Sequence, residues 1–188
     1  MSANFQKERD TAMRKTVLYI AMSLDGYIAD NSGGVDWLAG QDKDAETEDS
    51  YPAFIREVDT VVMGWNTYHQ IVTELSPTEW PYPGLTSYVI THRDLPPADG
   101  VIFTGKSPCE VVGELQQAQG KAIWICGGAN IAGQLVRNDL IDEYDISVIP
   151  ILLGAGVRLF EGGHREIPLQ LLRTQTSNGI TELVYARR

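Results

Sequence analysis

The chain has 188 residues, a formal charge of −10 at neutral pH, 43% hydrophobic residues and 21% charged ones. That length suffices for one domain with a substantial core, and so acidic a balance excludes broad binding to nucleic-acid phosphates, which needs a basic surface. No apolar run approaches the ~20 residues of a membrane span, the first stretch lacks the apolar centre of a signal peptide, and the two cysteines, Cys109 and Cys126, show no metal-ligand spacing. A cytoplasmic protein is expected.

Residues 1–14 are polar and mixed in charge and read as a flexible arm, followed by a single domain over 15–188. Lys15 to Met22 is a strand apolar on both faces, hence central in a sheet. Asp25-Gly26 marks a turn. A loop follows, in which Trp37 either closes on a substrate or plugs the core. The acidic run Asp42 to Asp49 leads into a helix whose Tyr51, Phe54, Ile55 and Val58 fall on one side. Next come a strand over Thr60 to Gly64, a helix over Asn66 to Leu75, and a proline-rich loop from Ser76 to Gly84. Thr86 to Thr91 is a strand that runs out at His92-Arg93, and Val101 to Phe103 is a short one. Ser107-Pro108 opens a helix reaching about Gln119. Ile123 to Cys126 is a buried strand, broken by Gly127-Gly128 before a helix that starts near Asn130. Leu140 to Ile149 alternates as a strand and stops at Pro150. Val157 to Phe160 is a short strand, and Leu169 to Thr176 pairs with Thr181 to Ala186 across an Asn178-Gly179 turn.

Strands alternate with helices and then give way to a β-rich tail. This order predicts an α/β domain, its central sheet mostly parallel with antiparallel C-terminal edge strands. Two places in it suit an anion. At Gly64 and at Gly127-Gly128 a strand turns into a helix through glycine, so backbone N–H groups and the positive end of a helix are approachable with no Cβ in the way. Either glycine corner alone also fits a plain tight turn. Together they suit a ligand with two phosphates, such as a dinucleotide.

The segments Ala21-Met-Ser-Leu-Asp-Gly-Tyr-Ile-Ala29, Val62-Met-Gly-Trp-Asn-Thr-Tyr68 and Cys126-Gly-Gly-Ala129 resemble, in order and spacing, the dihydrofolate-reductase-like superfamily. The tail, Leu140 to Glu143 through Pro150 and Leu153 to Phe160, is similar to its branch containing the riboflavin-biosynthesis reductase (RibD C-terminal) domain. What the resemblance implies is a three-layer α/β/α domain and a reductase that passes hydride from NADPH, or from NADH, to a C=N or related bond of a pterin, pyrimidinone or ribosylamino-pyrimidine. By position, Ala21 would meet the carboxamide and Ile28 the nicotinamide ring. Gly64, Trp65, Asn66 and Thr67 would hold one phosphate, and Gly127, Gly128, Ala129 and Asn130 the pyrophosphate, with Cys126 and Ile131 also in the cofactor site. Thr91, His92 and Arg93 would lie at the adenosine end. Trp65 stands where relatives often carry a cation, so Arg93 is the phosphate ligand expected there and Trp65 an adenine stacker. Trp37 and Tyr51 would touch substrate. The family habit also suggests a homodimer.

Reduction of a C=N bond needs a proton on nitrogen. Counting back from Gly64 in the superfamily pattern reaches Glu48 or Asp49, or Ser50 if the helix-strand join is shorter; Asp25 is the other acid near the expected nicotinamide. Glu48 and Asp49 equally suit a solvated helix start, and Asp25 a turn. An alternative reading is a non-catalytic nucleotide- or small-molecule-binding homodimer on the same fold.

Overall fold

The computed structural model of the chain describes residues 13–42 and 50–188. Its centre is an eight-stranded sheet with the strand order β5-β4-β3-β6-β1-β7-β10-β9. The strands are β1 (Thr16–Ser23), β3 (Val58–Gly64), β4 (Thr86–Ile90), β5 (Val101–Thr104), β6 (Ala122–Gly127), β7 (Glu143–Ile149), β9 (Leu169–Ser177) and β10 (Ile180–Arg187). From β5 to β7 all neighbours are parallel. β10 runs antiparallel to β7 and to β9, which forms the edge. Short β2 (Tyr27–Ala29) and β8 (Val157–Arg158) make a separate two-stranded sheet. The expected α/β sheet with an antiparallel C-terminal edge is therefore the observed one.

β1 sits between β6 and β7, which is why its first half is apolar on both faces. On one face Leu18, Val62, Ile123 and Ile125 pack against α3 (Pro108–Gln117) and α4 (Ala129–Arg137). α3 starts where Ser107 and Glu110 exchange side-chain-to-backbone hydrogen bonds, a capping box with Pro108 in its first turn. α4 buries Ile131, Ala132, Leu135 and Val136 along one stripe. On the other face Val61, Met63 and Trp124 meet α1 (Tyr51–Glu57), α2 (Trp65–Gln70) and a cluster of aromatic rings. Phe54 of α1 stacks on Tyr19 of β1 at 4.1 Å, and Trp124 sets its edge to Phe54 at 5.6 Å.

Several boundaries differ from the sequence reading. Val58 is already extended and opens β3 rather than closing α1, because its backbone joins the β6 ladder. The second helix begins at Trp65 and changes at Ile71 into a π-helical turn through Leu75. β7 begins only at Glu143, since Leu140 is drawn back to the end of α4 by its N–H to the Leu135 carbonyl. Arg14, read as the end of the arm, is buried: it donates to the Lys121 carbonyl at 2.7 Å and pairs with Asp59. At the hairpin tip Asn178 and Gly179 both have positive φ, 49° and 75°, as a two-residue turn of this hand requires. No helix among the described residues is long and apolar enough to cross a membrane.

Leu135 is fully buried at the centre of the α4 contact. Leu135→Ala is expected to lower unfolding stability by about 3 kcal/mol, read from the midpoint of urea denaturation with an unchanged slope.

Candidate active site

Because β3 and β6 are parallel neighbours with Met63 opposite Gly127, the two glycine corners end side by side at one edge of the sheet. Gly64 precedes α2 and lies close under α4: a Cβ there would meet Ile131 Cγ1 at 3.3 Å. At the second corner Gly127 has φ +123° and faces Ile20 Cδ1. Gly128 caps α4 in extended backbone, and a Cβ on it would meet Thr67 Oγ1 at 3.6 Å and Ile28 Cδ1 at 3.9 Å. The Gly127–Gly128 peptide is cis. Neither helix carries an acidic residue in its first turn or a side-chain cap. The first turn of α4 therefore carries no carboxylate of its own to compete for its N–H groups, and Thr67 lies beside Gly128. Gly64, Thr67, Gly127, Gly128, Ala129 and Ile131 are thus brought together, with Ile28 at their rim.

The adenosine end is arranged differently from the sequence expectation. Trp65 and Arg93 were separate expectations, a stacking ring and a phosphate ligand; here the Arg93 guanidinium lies 4.8 Å from the Trp65 ring centroid. His69 flanks the same ring at 5.2 Å. The Arg93 N–H is steadied by Thr91 Oγ1, and His92 packs over Gly105. Arg93 is exposed, so its charge remains available above the indole. Asn130 is exposed at the start of α4 and accepts from Gln134 at 2.8 Å. Cys126 points at the Tyr82 hydroxyl, 3.9 Å away, and burial pushes its thiol up to about 11, so it stays protonated at neutral pH.

Ala21 and Ser147 form the floor beside these corners. They are register partners on β1 and β7, half-buried although they lie at the middle of the sheet. Val17 and Leu18, earlier on β1, are buried, whereas Ile20, Ala21 and Met22 are only half-buried. The opening is a shelf rather than an enclosed pocket. A separate cavity of about 910 Å³ lies further along the α1 face, towards the strands' N-terminal ends, with Ser50, Phe54, Asp145, Arg173 and Gln175 in its wall. It does not include the glycine corners. The shelf, with two glycine corners and an acid-free helix start beside it, has the backbone chemistry that suits an anion.

Three expected acids fare differently. Asp25 is not a proton source. Its carboxylate accepts from the Ser23 hydroxyl at 2.6 Å and from the N–H groups of Leu153 and Gly154 at 3.1 and 2.7 Å. Those donors, Ser23 foremost, hold it down at about 2, so it is a permanent anion that ties the β1–β2 turn to the loop after β7. Glu48 and Asp49 lie outside the described residues. Trp37 is half-buried and donates to the Gly34 carbonyl at 3.1 Å, in a loop pinned to α2 by Gln70 on Gly33. Tyr51 belongs to the aromatic cluster, edge-on to Trp124 at 5.9 Å.

Sequence reasoning missed a buried acidic group on the same face as Ala21. Asp145 of β7 and Glu182 of β10 have side chains only 6% and 10% exposed. One Arg173 nitrogen approaches Glu182 Oε1 at 2.6 Å and Asp145 Oδ2 at 3.7 Å, and Ser50 Oγ, which is 3.0 Å from the Tyr19 hydroxyl, donates to Glu182 Oε2. The signal available beforehand was a carboxylate at an inward-facing position of each strand.

Residues 14–181 match the family model described as the RibD C-terminal domain. The chain is 39% identical over 175 residues to the uncharacterized protein YwjB of Bacillus subtilis, covering 93% of this chain and 98% of that one. A crystal structure from Shewanella sp. PV-4, whose protein carries a provisional riboflavin-biosynthesis name, is 29% identical with a TM-score of 0.78, covering 93% of this chain and 99% of that one. The diaminohydroxyphosphoribosylaminopyrimidine deaminase/5-amino-6-(5-phosphoribosylamino)uracil reductase of Thermotoga maritima shares the fold at 15% identity and a TM-score of 0.66, over 94% of this chain and 57% of that one.

The Asp25 clamp has a pH signature. Its folded value of about 2 lies below the ordinary 3.8, so the stability it contributes is present above about pH 4 and is lost as pH falls through 2. Asp25→Asn is expected to melt earlier than the parent at pH 7, with the gap closing between pH 4 and 2, as followed by circular dichroism. A gap as large at pH 2 as at pH 7 would contradict the clamp.

Proposed function

The chain belongs to the RibD C-terminal domain family, and from that premise we propose that it is a nicotinamide-dependent reductase of a small nitrogen heterocycle. The observation that carries this reading is the side-by-side placement of the two glycine corners, which offers one extended ligand two anion-receptive helix starts separated by a single strand spacing.

The residues present fit a dinucleotide. Gly127 and Gly128 leave room where any Cβ would project, and the acid-free first turn of α4, with Ala129 and Asn130, suits the pyrophosphate. Thr67 would add a hydroxyl from the other corner. Arg93, held over Trp65, would take a 2′-phosphate, which makes NADPH the cofactor in this reading and NADH the weaker ligand. Ile28 would limit the nicotinamide on one side, and Ala21 would offer backbone to its carboxamide. Bound there, the cofactor supplies hydride. The chain's own part is to hold the ring at the half-open floor of Ala21 and Ser147, and to leave the opposite side of that floor free for substrate. The Thermotoga relative is named for a uracil-type substrate, which supports pyrimidine, pyrimidinone or pterin compounds as the class to try.

Saturable quenching of tryptophan fluorescence by NADPH is the first expected result, followed by loss of the reduced-nicotinamide absorbance with one of a set of pterins and pyrimidinones. Tight binding with no oxidation by any of them would instead favour the non-catalytic binder. Arg93→Ala should weaken NADPH about tenfold or more, roughly 1.4 kcal/mol, and leave NADH unchanged; equal losses for both would remove Arg93 from the 2′-phosphate. Gly128→Ala is the cleaner probe of the corner. Its φ of −82° suits alanine, and the new methyl would stand in ordinary contact with Thr67, whereas any side chain at Gly127 is strained by its φ. It should melt like the parent but bind NADPH poorly, and unaltered affinity would exclude the Gly127–Asn130 corner.

A further inference from the structure

The β7 and β10 carboxylates have no part in the cofactor site, and their surroundings are unusual for a purely structural pair. Both are at least nine-tenths buried, yet they share one cation, Arg173, which is itself half exposed on the edge strand. Asp145 faces the cavity of about 910 Å³ beside α1, and its Oδ1 is buried with no hydrogen-bond partner. Glu182 Oε1 has no aligned hydrogen bond but is compensated by the Arg173 cation at 2.6 Å, which leaves Asp145 Oδ1 as the unmet need of the pair. A buried carboxylate oxygen without a donor is costly. It is relieved either by a proton or by a ligand N–H.

Register places the pair. Ala21, Ser147 and Glu182 are partners in one row across β1, β7 and β10, and Tyr19, Asp145 and Val184 form the next row. With strands roughly 4.8 Å apart, Glu182 stands about 10 Å from Ala21. A bicyclic or substituted monocyclic ring laid over Ser147 would span that gap.

Resting on the reductase reading, the geometry points to Asp145 and Glu182 as a pair that together holds one proton, binds the ring nitrogen of the substrate and protonates it. Catalytic contact falls to Glu182; Asp145, one row behind, is its positioning partner. The transfer is a proton transfer only. An O–H bond of the pair breaks, an N–H bond forms on the ring, and the resulting cationic C=N carbon becomes the better hydride acceptor. The pair is left as two carboxylates beside Arg173 and regains its proton from solvent through the cavity. The substrate class that fits is an amino-substituted nitrogen heterocycle, since its N–H groups donate to a carboxylate and a net negative cluster favours a developing positive charge.

The charges around Asp145 agree with this. Burial, and next the Glu182 charge, push its carboxyl up to about 7; Arg173 opposes them, and Glu143 adds to the rise. Of the other groups in the cavity wall, Lys15 is engaged by Glu143 and Arg14 by Asp59, while Glu57 and Lys121 lie towards the strand starts. Tyr19 and Ser50 complete the polar contacts above the pair.

The test is a carboxyl-carbon NMR titration of the full chain labelled in Asp and Glu. One carboxyl should titrate near pH 7 and lose that step in Asp145→Asn. The midpoint should fall by about one unit or more in Glu182→Gln, where the like charge is gone, and rise in Arg173→Gln, where the cation is gone. Adding 5,6-diaminouracil or pterin to the NADP⁺-saturated protein should move the same resonances while Asp25 stays fixed. If both carboxyls titrate below pH 5, or if neither probe disturbs them in the saturated protein, the inference is overturned while the reductase reading stands. Failure of NADP⁺ to bind the parent protein overturns that reading instead, and with it the catalytic role of the pair.

Discussion

Parallel pairing of β3 with β6 is the constraint on which the rest depends. Parallel neighbours point their C-terminal ends the same way, so whatever follows each strand emerges at a common edge. Here both are followed at once by glycine and a helix. An anion placed at that edge meets main-chain donors from two segments more than sixty residues apart in the chain. Had β1 or β4 lain between them, two isolated tight turns would remain. Ligands in open α/β sheets gather at the carboxyl ends of strands for the same reason.

The two faces of the sheet then divide the labour. Beneath α3 and α4 the face is apolar around Leu18, Ile123, Ile125 and Leu135, all fully buried, with a Gln116-to-Thr16 hydrogen bond at its N-terminal end, and that packing holds β6 and the start of α4 in position. The α1 face is apolar from β5 across β4, β3 and β6, through Phe103, Val89, Val61, Met63 and Trp124, and the aromatic rings of Tyr19, Phe54 and Trp124 interlock where β6 meets β1. Towards β7 and β10 it turns polar, and buried carboxylates take the place of a core. Such groups are a poor means of stabilising a fold, because their desolvation is only partly offset by one exposed arginine. Their presence is better explained by chemistry than by stability.

Rigidity at the shelf comes from small polar clamps. Asp25 draws the turn after β1 to residues 153 and 154, and Arg158 lies over the Tyr27 ring at 4.5 Å, fixing β2 against β8. Gly156 is pressed so closely on the Ala29 carbonyl that a side chain there would collide with backbone. Ile28, carried on β2, is thereby held at the rim of the Gly128 corner. The Trp65–Arg93 contact does the same at the opposite end, keeping a long cationic side chain over an aromatic plate rather than free in solvent.

Local interactions are written in neighbouring residues, and what they govern was legible in the sequence by itself. The apolar runs of β1 and β6, the Ser107–Glu110 cap, the glycine corners and the Asn178-Gly179 turn are each determined within a few positions, by side-chain period, capping or φ. Together with the alternation of strands and helices they were enough for the sheet class and for the family. Tertiary structure alone decided which strands touch and in what register. That is why Asp25, an acid beside the expected nicotinamide in sequence, became a clamp once residues 153 and 154 arrived from the far side of β7. It is also why Trp65 and Arg93, read as separate ligands of one nucleotide, proved to be in contact. Asp145 and Glu182 are 37 positions apart and unremarked on their own strands. They become neighbours only when β10 pairs with β7, a long-range choice made by the burial of whole faces, which no short stretch of sequence encodes.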